Sequence, residues 1–203
     1  MFIIVRHGNT FEAGEPPRRI GARTDLPLTA QGRAQADALG EHFAGASVRF
    51  SKALISPLLR TRQTAEAILS HQPGGGPSPE TADFLREIDH GPDENATEEA
   101  ITARIGAEAL ARWDARAVPP PDWQVDVDAR IAAWRALFAQ GGESGHILLV
   151  TSNGAARFAL MADPGLADAA TAAGTLKLPT GGYGVITRDA KGALELKGWG
   201  IRP

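Results

Sequence analysis

The sequence places one histidine, His7, between an arginine and a glycine at the end of a short apolar run, Phe2–Val5. An apolar run that ends in a polar turn predicts a buried strand. A positioned imidazole can attack phosphorus and carry the phosphoryl group covalently. Neighbouring guanidinium groups neutralise the non-bridging oxygens, where this chemistry needs most help. His7 and the adjacent Arg6 are therefore candidates for phosphoryl transfer.

Two further apolar runs also end in polar turns. One precedes Ser56 and is followed by Arg60, and the other, Ile147–Val150, leads into the segment TSNG at 151–154. The carboxyl ends of parallel strands meet at one edge of a sheet, and helix N-termini direct free N–H groups to the same place. A cluster of guanidinium groups there suits a phosphate or a carboxylate. The residues expected at this edge are Arg6, His7, Asn9 and Arg60, with Arg23 as a further candidate.

The order of strand and helix patterns predicts how these turns are brought together. Strands are predicted at 2–5, 53–55, 147–151, 182–188 and 193–198, and helices at 30–43, 57–70, 97–116, 127–140 and 155–160. Thr29 and Ser56 are the expected caps of the first two helices, with Pro57 opening the second. This alternation predicts an α/β fold, a three-layer α/β/α sandwich with a mostly parallel central sheet. We expect one domain over residues 1–203, with a small helical cap inserted at about 92–140.

The bulk composition excludes several classes of function. The 203 residues carry a net charge of −3, which gives no electrostatic basis for general binding to nucleic acid or a membrane surface. There are no cysteines, so disulfides, thiolate catalysis and cysteine zinc sites are excluded. The acidic residues do not cluster at ligand spacing, so we expect no metal and no other cofactor. The N-terminus is interpreted as the first strand rather than a signal peptide, and we expect a cytoplasmic protein. A homodimer through the cap or the C-terminal hairpin edge stays open.

Four segments along the first half of the chain resemble one known family in its own order. They are RHGNT at 6–10, GARTDLPLT at 21–29 followed by Gly32, Arg33 and Gln35, SPLLRTRQTA at 56–65, and LREIDHG at 85–91. Together they resemble the motifs of the histidine phosphatase superfamily, also called phosphoglycerate-mutase-like.

The resemblance implies roles for individual residues of this chain. His7 would accept the phosphoryl group, Arg6 and Arg60 would hold the phosphate with Asn9, and Glu87 would donate a proton to the leaving oxygen. Burial near a bound phosphate is expected to raise the pKa of Glu87, as an acid at neutral pH requires. Further candidates for contact with the substrate are Thr10, Arg23 and His90. The implied partner is a small phosphorylated molecule or inorganic phosphate.

The third motif strand departs from the family pattern, which usually has a second histidine there. An ungapped alignment through Gly154 and Arg157 puts that histidine at Ser152, and a shift of one residue puts it at Asn153. Either side chain could donate a neutral hydrogen bond to phosphate, although turn and cap roles are equally open for both. A charged donor is roughly twice as strong, and loss of one donor to the transition state costs about a hundredfold or more in rate. We therefore expect phosphate binding with reduced turnover.

Three functions remain open from the sequence. A phosphomonoesterase that forms a phosphohistidine is favoured, because the long insert of the family's glycolytic mutases is missing. The alternatives are a phosphoglycerate-mutase-type isomerase and a catalytically silent phospho-ligand binder. His90 or His146 could replace the second histidine, although His146 precedes its strand and should lie at the opposite edge of the sheet. The cap would select the substrate through Arg104, Arg112, Trp113 and Trp123.

Overall fold

The computed structural model describes residues 1–140, 145–174 and 176–203, and within these ranges the backbone forms eight strands and seven α-helices. The strands are β1 (Phe2–Arg6), β2 (Arg18–Arg19), β3 (Phe50–Ile55), β4 (Glu80–Thr81), β5 (Ala96–Thr97), β6 (His146–Thr151), β7 (Tyr183–Arg188) and β8 (Leu194–Ile201). The helices are α1 (Ala30–Gly45), α2 (Leu59–Ser70), α3 (Glu98–Ile105), α4 (Ala107–Arg116), α5 (Val127–Ala139), α6 (Asn153–Met161) and α7 (Pro164–Ala173). None of the helices in the described ranges is both long and apolar enough to cross a membrane.

Six strands form the central sheet, in the order β4-β3-β6-β1-β7-β8. Strands β4, β3, β6 and β1 are parallel, while β7 runs antiparallel to β1 and β8 antiparallel to β7. The mostly parallel sheet predicted from the sequence is therefore confirmed. The carboxyl ends of β1, β3 and β6 lie side by side, because these three strands are direct neighbours. The short strands β2 and β5 pair with each other outside this sheet.

Two hydrophobic cores lie on opposite faces of the sheet, because successive side chains of a strand point to opposite sides. Along β1, Phe2 and Ile4 belong to one core and Ile3 and Val5 to the other. The core of Ile3 and Val5 packs on α1 and α2, and the core of Phe2 and Ile4 packs on α3 to α7. A sheet covered by helices on both faces is the three-layer sandwich expected from the sequence.

The helix predicted at 97–116 is two helices in the structure. Thr97 caps the first of them, since its Oγ1 accepts a hydrogen bond from the Ala100 amide at 3.3 Å. Gly106 separates α3 from α4 and has φ of +80°. This value lies in the region that glycine adopts at no steric cost, so the chain turns there. The prediction of one continuous helix was wrong because periodicity alone does not reveal a break at a single residue.

The predicted start of α2 was also wrong. Leu58 is extended, the helix begins at Leu59, and Ser56 makes only a 3.4 Å contact from its Oγ to the Leu58 amide. The capping oxygen comes instead from Asp25, whose Oδ1 accepts from the Leu59 amide at 2.7 Å. A residue in the loop before α1 therefore caps a helix more than thirty positions away, which no local pattern could indicate.

Replacing Asp25 by alanine is expected to lower the free energy of unfolding by about 1 kcal/mol, the usual value of a helix N-cap. Asp25→Asn keeps an acceptor oxygen and should lose less than half of that. Urea denaturation measures both variants. Asp168→Ala removes an exposed aspartate from the middle of α7 and is the matched control. Equal stabilities of Asp25→Ala and the control would show that the cap contributes nothing.

Helix α7 was not predicted from the sequence, although its start carries a recognisable signal. The Oδ1 atom of Asp163 accepts from the amides of Gly165 and Leu166, and Pro164 occupies the first helical position. An aspartate cap followed by proline is a common helix start. The alanine-rich segment that follows has too few large apolar residues to show a helical period.

Candidate active site

A cavity of about 520 Å³ lies at the carboxyl edge of the sheet, under the helices of the cap. Most of the site residues predicted from the sequence line this cavity. Its lining includes Arg6, His7, Asn9, Thr10, Glu87, His90 and Asn153. Arg60 is fully buried directly behind His7.

The imidazole of His7 is held in one tautomer. Its Nδ1 lies 2.7 Å from the carbonyl oxygen of Gly8, and a carbonyl can only accept, so the ring proton is on Nδ1. Its Nε2 accepts a hydrogen bond from Arg60 Nε at 3.2 Å. Burial lowers the pKa of His7 well below its ordinary value, and the positive charges of Arg60 and Arg6 lower it further. Nε2 therefore carries a free electron pair at neutral pH, as a nucleophile requires.

The His7 ring is expected to stay neutral, with its proton on Nδ1, to a pH well below 6.5. The reason is that burial and two guanidinium groups disfavour the charged ring. An unfolded imidazole binds its proton near pH 6.5, so His7 makes the fold less stable as the pH falls below that value. Nitrogen NMR of the histidine rings, with His7→Ala for assignment, measures tautomer and titration. A midpoint near 6.5 with the proton on Nε2 would contradict this structure.

Arg60 is fixed by the loop that precedes α1. Its Nη1 donates to the Thr24 carbonyl oxygen at 2.8 Å and its Nη2 to the Gly21 carbonyl oxygen at 3.2 Å. A guanidinium has five N–H donors, so two remain after these bonds and the one to His7. The Arg60 side chain thus has hydrogen-bonding capacity left for a phosphate oxygen next to His7 Nε2.

The loop that holds Arg60 is itself fixed by one carboxylate, Glu94. Oε1 accepts from the amides of Gly21 and Arg23, at 2.8 and 3.2 Å, and from Thr24 Oγ1 at 2.7 Å. Burial alone would raise the pKa of Glu94, but hydrogen bonds, the largest from His90, lower it to about 2. Glu94 is therefore a charged anchor for the loop at ordinary pH. Glu94 was not among the site residues predicted from the sequence.

Arg6 and Asn153 line the cavity together with His7 and contribute further donors. Arg6 Nη1 donates to the Leu178 carbonyl oxygen at 2.9 Å, and its Nε is buried with no partner among the described residues. Burial lowers the pKa of Arg6 to about 10, so it stays charged at neutral pH. Asn153 Oδ1 accepts from the Leu178 amide at 2.9 Å, which leaves the Nδ2 hydrogens as its donors. Asn9 differs, because its Nδ2 already donates to Phe11 and Gln31.

Glu87 faces the cavity from the segment between β4 and β5, and in the free protein its pKa is not raised. Burial pushes the pKa up, but His90 and the amides of Gly154 and Ile88 outweigh it, and the pKa is lower than usual. Oε2 accepts from the Gly154 amide at 3.0 Å and Oε1 from the Ile88 amide at 2.9 Å. Residue 154 must be glycine for this contact, since a Cβ there would lie 2.2 Å from Glu87 Oε1. The carboxylate is therefore ionised before substrate arrives.

Several residues considered from the sequence lie outside the cavity. Ser152 is buried, with an Oγ that has no partner in the described structure, and it does not line the cavity. Arg23 is half exposed and bonds to Asp89 and the Gly91 carbonyl oxygen. His146 begins β6 at the far end of the strand. Of the two positions left open for the second histidine, the structure places only Asn153 at the cavity.

The cap contributes fewer cavity residues than expected. Trp113 lines the cavity, whereas Arg112 is exposed and outside it. Arg104 bonds to Asp93, which also accepts from Trp123 Nε1 at 2.7 Å, so these three residues hold the cap together. No group of three or more potential metal ligands is found among the described residues.

Arg157 lines the cavity, although the sequence analysis gave it no role. It follows Asn153 by four positions on α6, and residues at this spacing lie on the same face of a helix. That spacing is the signal that could have placed Arg157 next to the site.

Comparison with known proteins gives a consistent family. The model of the histidine phosphatase superfamily, branch 1, matches residues 2–199. A 2,3-bisphosphoglycerate-dependent phosphoglycerate mutase from Rhizobium etli is 30% identical over 132 residues, which are 64% of this chain and 62% of the mutase. A crystal structure of phosphoglycerate mutase from Thermus thermophilus is 30% identical, with a TM-score of 0.63 over 96% of this chain and 95% of that one.

A phosphatase has a similar fold. The native structure of mycobacterial glucosyl-3-phosphoglycerate phosphatase is 22% identical, with a TM-score of 0.74 over 100% of this chain and 99% of that one. Two phosphoglycerate mutases are thus similar in sequence, and one phosphatase is similar in fold. The match to the family model covers nearly the whole chain, and the chain therefore belongs to the histidine phosphatase superfamily.

Proposed function

We propose that this protein is a phosphomonoesterase that hydrolyses a small phosphorylated substrate through a phosphohistidine at His7. The observation that carries the proposal is the state of His7, a neutral ring whose unprotonated Nε2 faces Arg60 at 3.2 Å. The proposed nucleophile lines the cavity, and the proposed phosphate-binding cation is buried in contact with it. The proton donor proposed for the leaving group, Glu87, lines the same cavity.

In the first step the substrate phosphate binds beside Arg6 and Arg60, and the Arg60 Nε–H moves its hydrogen bond from Nε2 to a phosphate oxygen. Nε2 attacks phosphorus, the phosphorus–nitrogen bond forms and the bond to the leaving oxygen breaks. Arginines stabilise the charge on the equatorial oxygens. The Nδ1 proton, held by the Gly8 carbonyl oxygen, stabilises the positive charge that develops on the ring.

Glu87 supplies the proton for the leaving alcohol only after it has gained one. The pKa of the free carboxyl is low, but a bound phosphate places negative charge nearby and raises it. About a tenth of a phosphate ester with a second pKa near 6 is still singly protonated at pH 7, and this form brings a proton to the site. Glu87 takes that proton and passes it to the leaving oxygen. As a carboxylate it then accepts a proton from the water that attacks the phosphohistidine, which releases inorganic phosphate and restores His7.

A direct test is to trap the intermediate. The purified protein is mixed with a panel of labelled phosphomonoesters and quenched in alkali, where phosphohistidine survives, and the labelled peptide is mapped. We expect label on His7 together with release of inorganic phosphate. Binding of inorganic phosphate without label or release, across the panel, would support the silent phospho-ligand binder instead.

The isomerase alternative has one specific finding in its favour, since two relatives at 30% identity are phosphoglycerate mutases. It predicts interconversion of 2- and 3-phosphoglycerate at a rate above phosphate release. Hydrolysis outpacing interconversion supports the phosphomonoesterase, and the reverse result supports the mutase.

Asn153→His is expected to raise kcat for hydrolysis by about tenfold or more, since it adds a charged donor where Asn153 gives a neutral one. Ser152→His is the matched comparison. Ser152 is buried and does not line the cavity, so a ring there would overpack the core and lower stability by about 1–3 kcal/mol. Assays with an aryl phosphate and thermal melts measure both effects. A gain from Ser152→His and none from Asn153→His would reverse the assignment.

A further inference from the structure

The wall of the cavity beyond the phosphate site carries several basic side chains, and most of them have an acidic partner. Arg19 is paired with Glu98 at 2.8 Å and Lys177 with Asp114 at 2.8 Å. Arg18 is likewise paired with Glu15, at 3.0 Å. Their charges are therefore largely compensated within the protein.

Arg157 differs from these cations. Its side chain is fully buried, and no ion pair joins it to a carboxylate of the described residues. Nη1 donates to the Trp113 carbonyl oxygen at 2.5 Å, and the guanidinium carbon lies 4.1 Å from the centre of the Trp113 ring. Nε and Nη2 have no hydrogen-bond partner in the described ranges. A buried cation with unused donors is costly for a fold unless something binds to them.

The charge of Arg157 persists at neutral pH. Burial lowers its pKa to about 10, while the carboxylates of Glu87 and Asp114 act in the opposite direction. Arg157 is also one of the residues that line the cavity, and its Nε and Nη2 lie just beneath the cavity surface. The guanidinium is held in place by Trp113 from one side, which prepares the planar group to bind an anion with two N–H donors.

The position of Arg157 relates it to the phosphate site. Asn153 lies at that site, and Arg157 follows four residues later on the same face of α6. Four residues of α-helix rise by about 6 Å. A molecule with its phosphate at His7 would therefore reach Arg157 with a group a few bonds away.

We propose that Arg157, backed by Trp113, forms a subsite for a second anionic group of the substrate, a carboxylate or a second phosphate. This inference rests on the proposed function, since it assumes that the first phosphate binds at His7. It narrows the substrate class to small phosphomonoesters that carry another negative charge a few bonds from the phosphate. A phosphomonoester without a second anionic group would leave the Nε and Nη2 donors of Arg157 without a partner.

The test uses non-hydrolysable phosphonates, so that it does not depend on turnover. Calorimetry compares alkylphosphonates of two to four carbons with ω-carboxyalkylphosphonates and alkane diphosphonates of the same lengths. We expect at least one of the two series with a second anionic group to bind the wild-type protein about tenfold or more tightly than the alkylphosphonate of the same length. The series with the larger gain distinguishes a carboxylate from a phosphate as the second group.

Arg157→Met keeps the volume of the side chain but removes its charge. It should reduce the ratio of affinities, that of the ligand with a second anionic group over that of the alkylphosphonate of equal length, to about one. Binding of the alkylphosphonates should be retained. Arg157→Lys, which keeps a charge without the planar pair of donors, should retain part of the ratio. Arg112→Met removes an exposed arginine from the same cap helix as Trp113 and should leave the ratio unchanged.

Two outcomes would overturn the subsite. One is an affinity ratio near one for the wild-type protein at every ligand length, and the other is a high affinity ratio that persists in Arg157→Met. Thermal melts of each variant, and retained binding of alkylphosphonates, show that the phosphate site is still folded. If the wild-type protein binds neither alkylphosphonate nor inorganic phosphate, it is the proposed function that fails, and the two results are thereby distinguished.

Discussion

Replacing His7 by alanine is expected to lower kcat/KM for phosphomonoester hydrolysis by about a thousandfold or more, and to abolish labelling of the protein by substrate. The imidazole is the only protein group in the proposed mechanism that forms a bond to phosphorus, and loss of a nucleophile is among the largest effects of a single substitution. Steady-state assays with an aryl phosphate measure the loss.

Binding of inorganic phosphate should survive in His7→Ala within a few-fold, because Arg6 and Arg60 supply the charge at that site. His71→Ala is the matched control, since His71 lies beside Asp37 and does not line the cavity. Hydrolysis that persists in His7→Ala at wild-type rates would refute the phosphohistidine route.

Glu87→Gln is expected to have an effect that depends on the leaving group. For an alkyl phosphate the rate should fall by about 10²–10⁴-fold, the usual contribution of a general acid. For p-nitrophenyl phosphate the loss in the first step should be small, because nitrophenolate leaves without a proton. Glutamine retains an oxygen that can accept from the Gly154 or Ile88 amide, so the variant should fold. Rapid-quench kinetics on both substrates measures the first step directly.

A uniform loss with both substrates would show that Glu87 acts by holding Gly154 and Ile88 rather than by donating a proton. The pH profile provides a second readout. The pKa of Glu87 is lowered in the free protein, so the acid form must arise in the substrate complex. The basic limb of kcat for the alkyl phosphate should therefore depend on Glu87 and vanish in Glu87→Gln.

The sheet and the main contacts of the site could be predicted from the sequence because they depend on local signals. Arg6 and His7 directly follow an apolar strand, and the motif around Arg60 follows another. Once the strands are parallel neighbours, their carboxyl ends must meet. Glu87 was identified through the family motif alone, since nothing in its local pattern shows that it turns towards His7.

Other features depend on contacts between distant segments and could not be predicted. Asp25 caps α2 from a separate loop, and Glu94 fixes the loop that holds Arg60. The pKa of Glu87 is lowered in the free protein, because His90 and two backbone amides outweigh the effect of burial. The choice between Ser152 and Asn153 also could not be predicted from the sequence. A shift of one residue at the end of a strand decides which of the two side chains is buried and which faces the cavity.

Strand β1 lies inside the sheet, between β6 and β7, and this position restricts the motion of its backbone. The strand is paired on both sides, with β6 and β7, and the amides of Arg6 and His7 also donate to Gly182 and Thr151 at 3.0 and 3.1 Å. Backbone in such a position exchanges its hydrogens with solvent only in openings close to global unfolding. We therefore expect the backbone that carries His7 to belong to the slowest-exchanging part of the chain. Substitutions in the surrounding helices can therefore change which substrate binds without destabilising the backbone that positions His7.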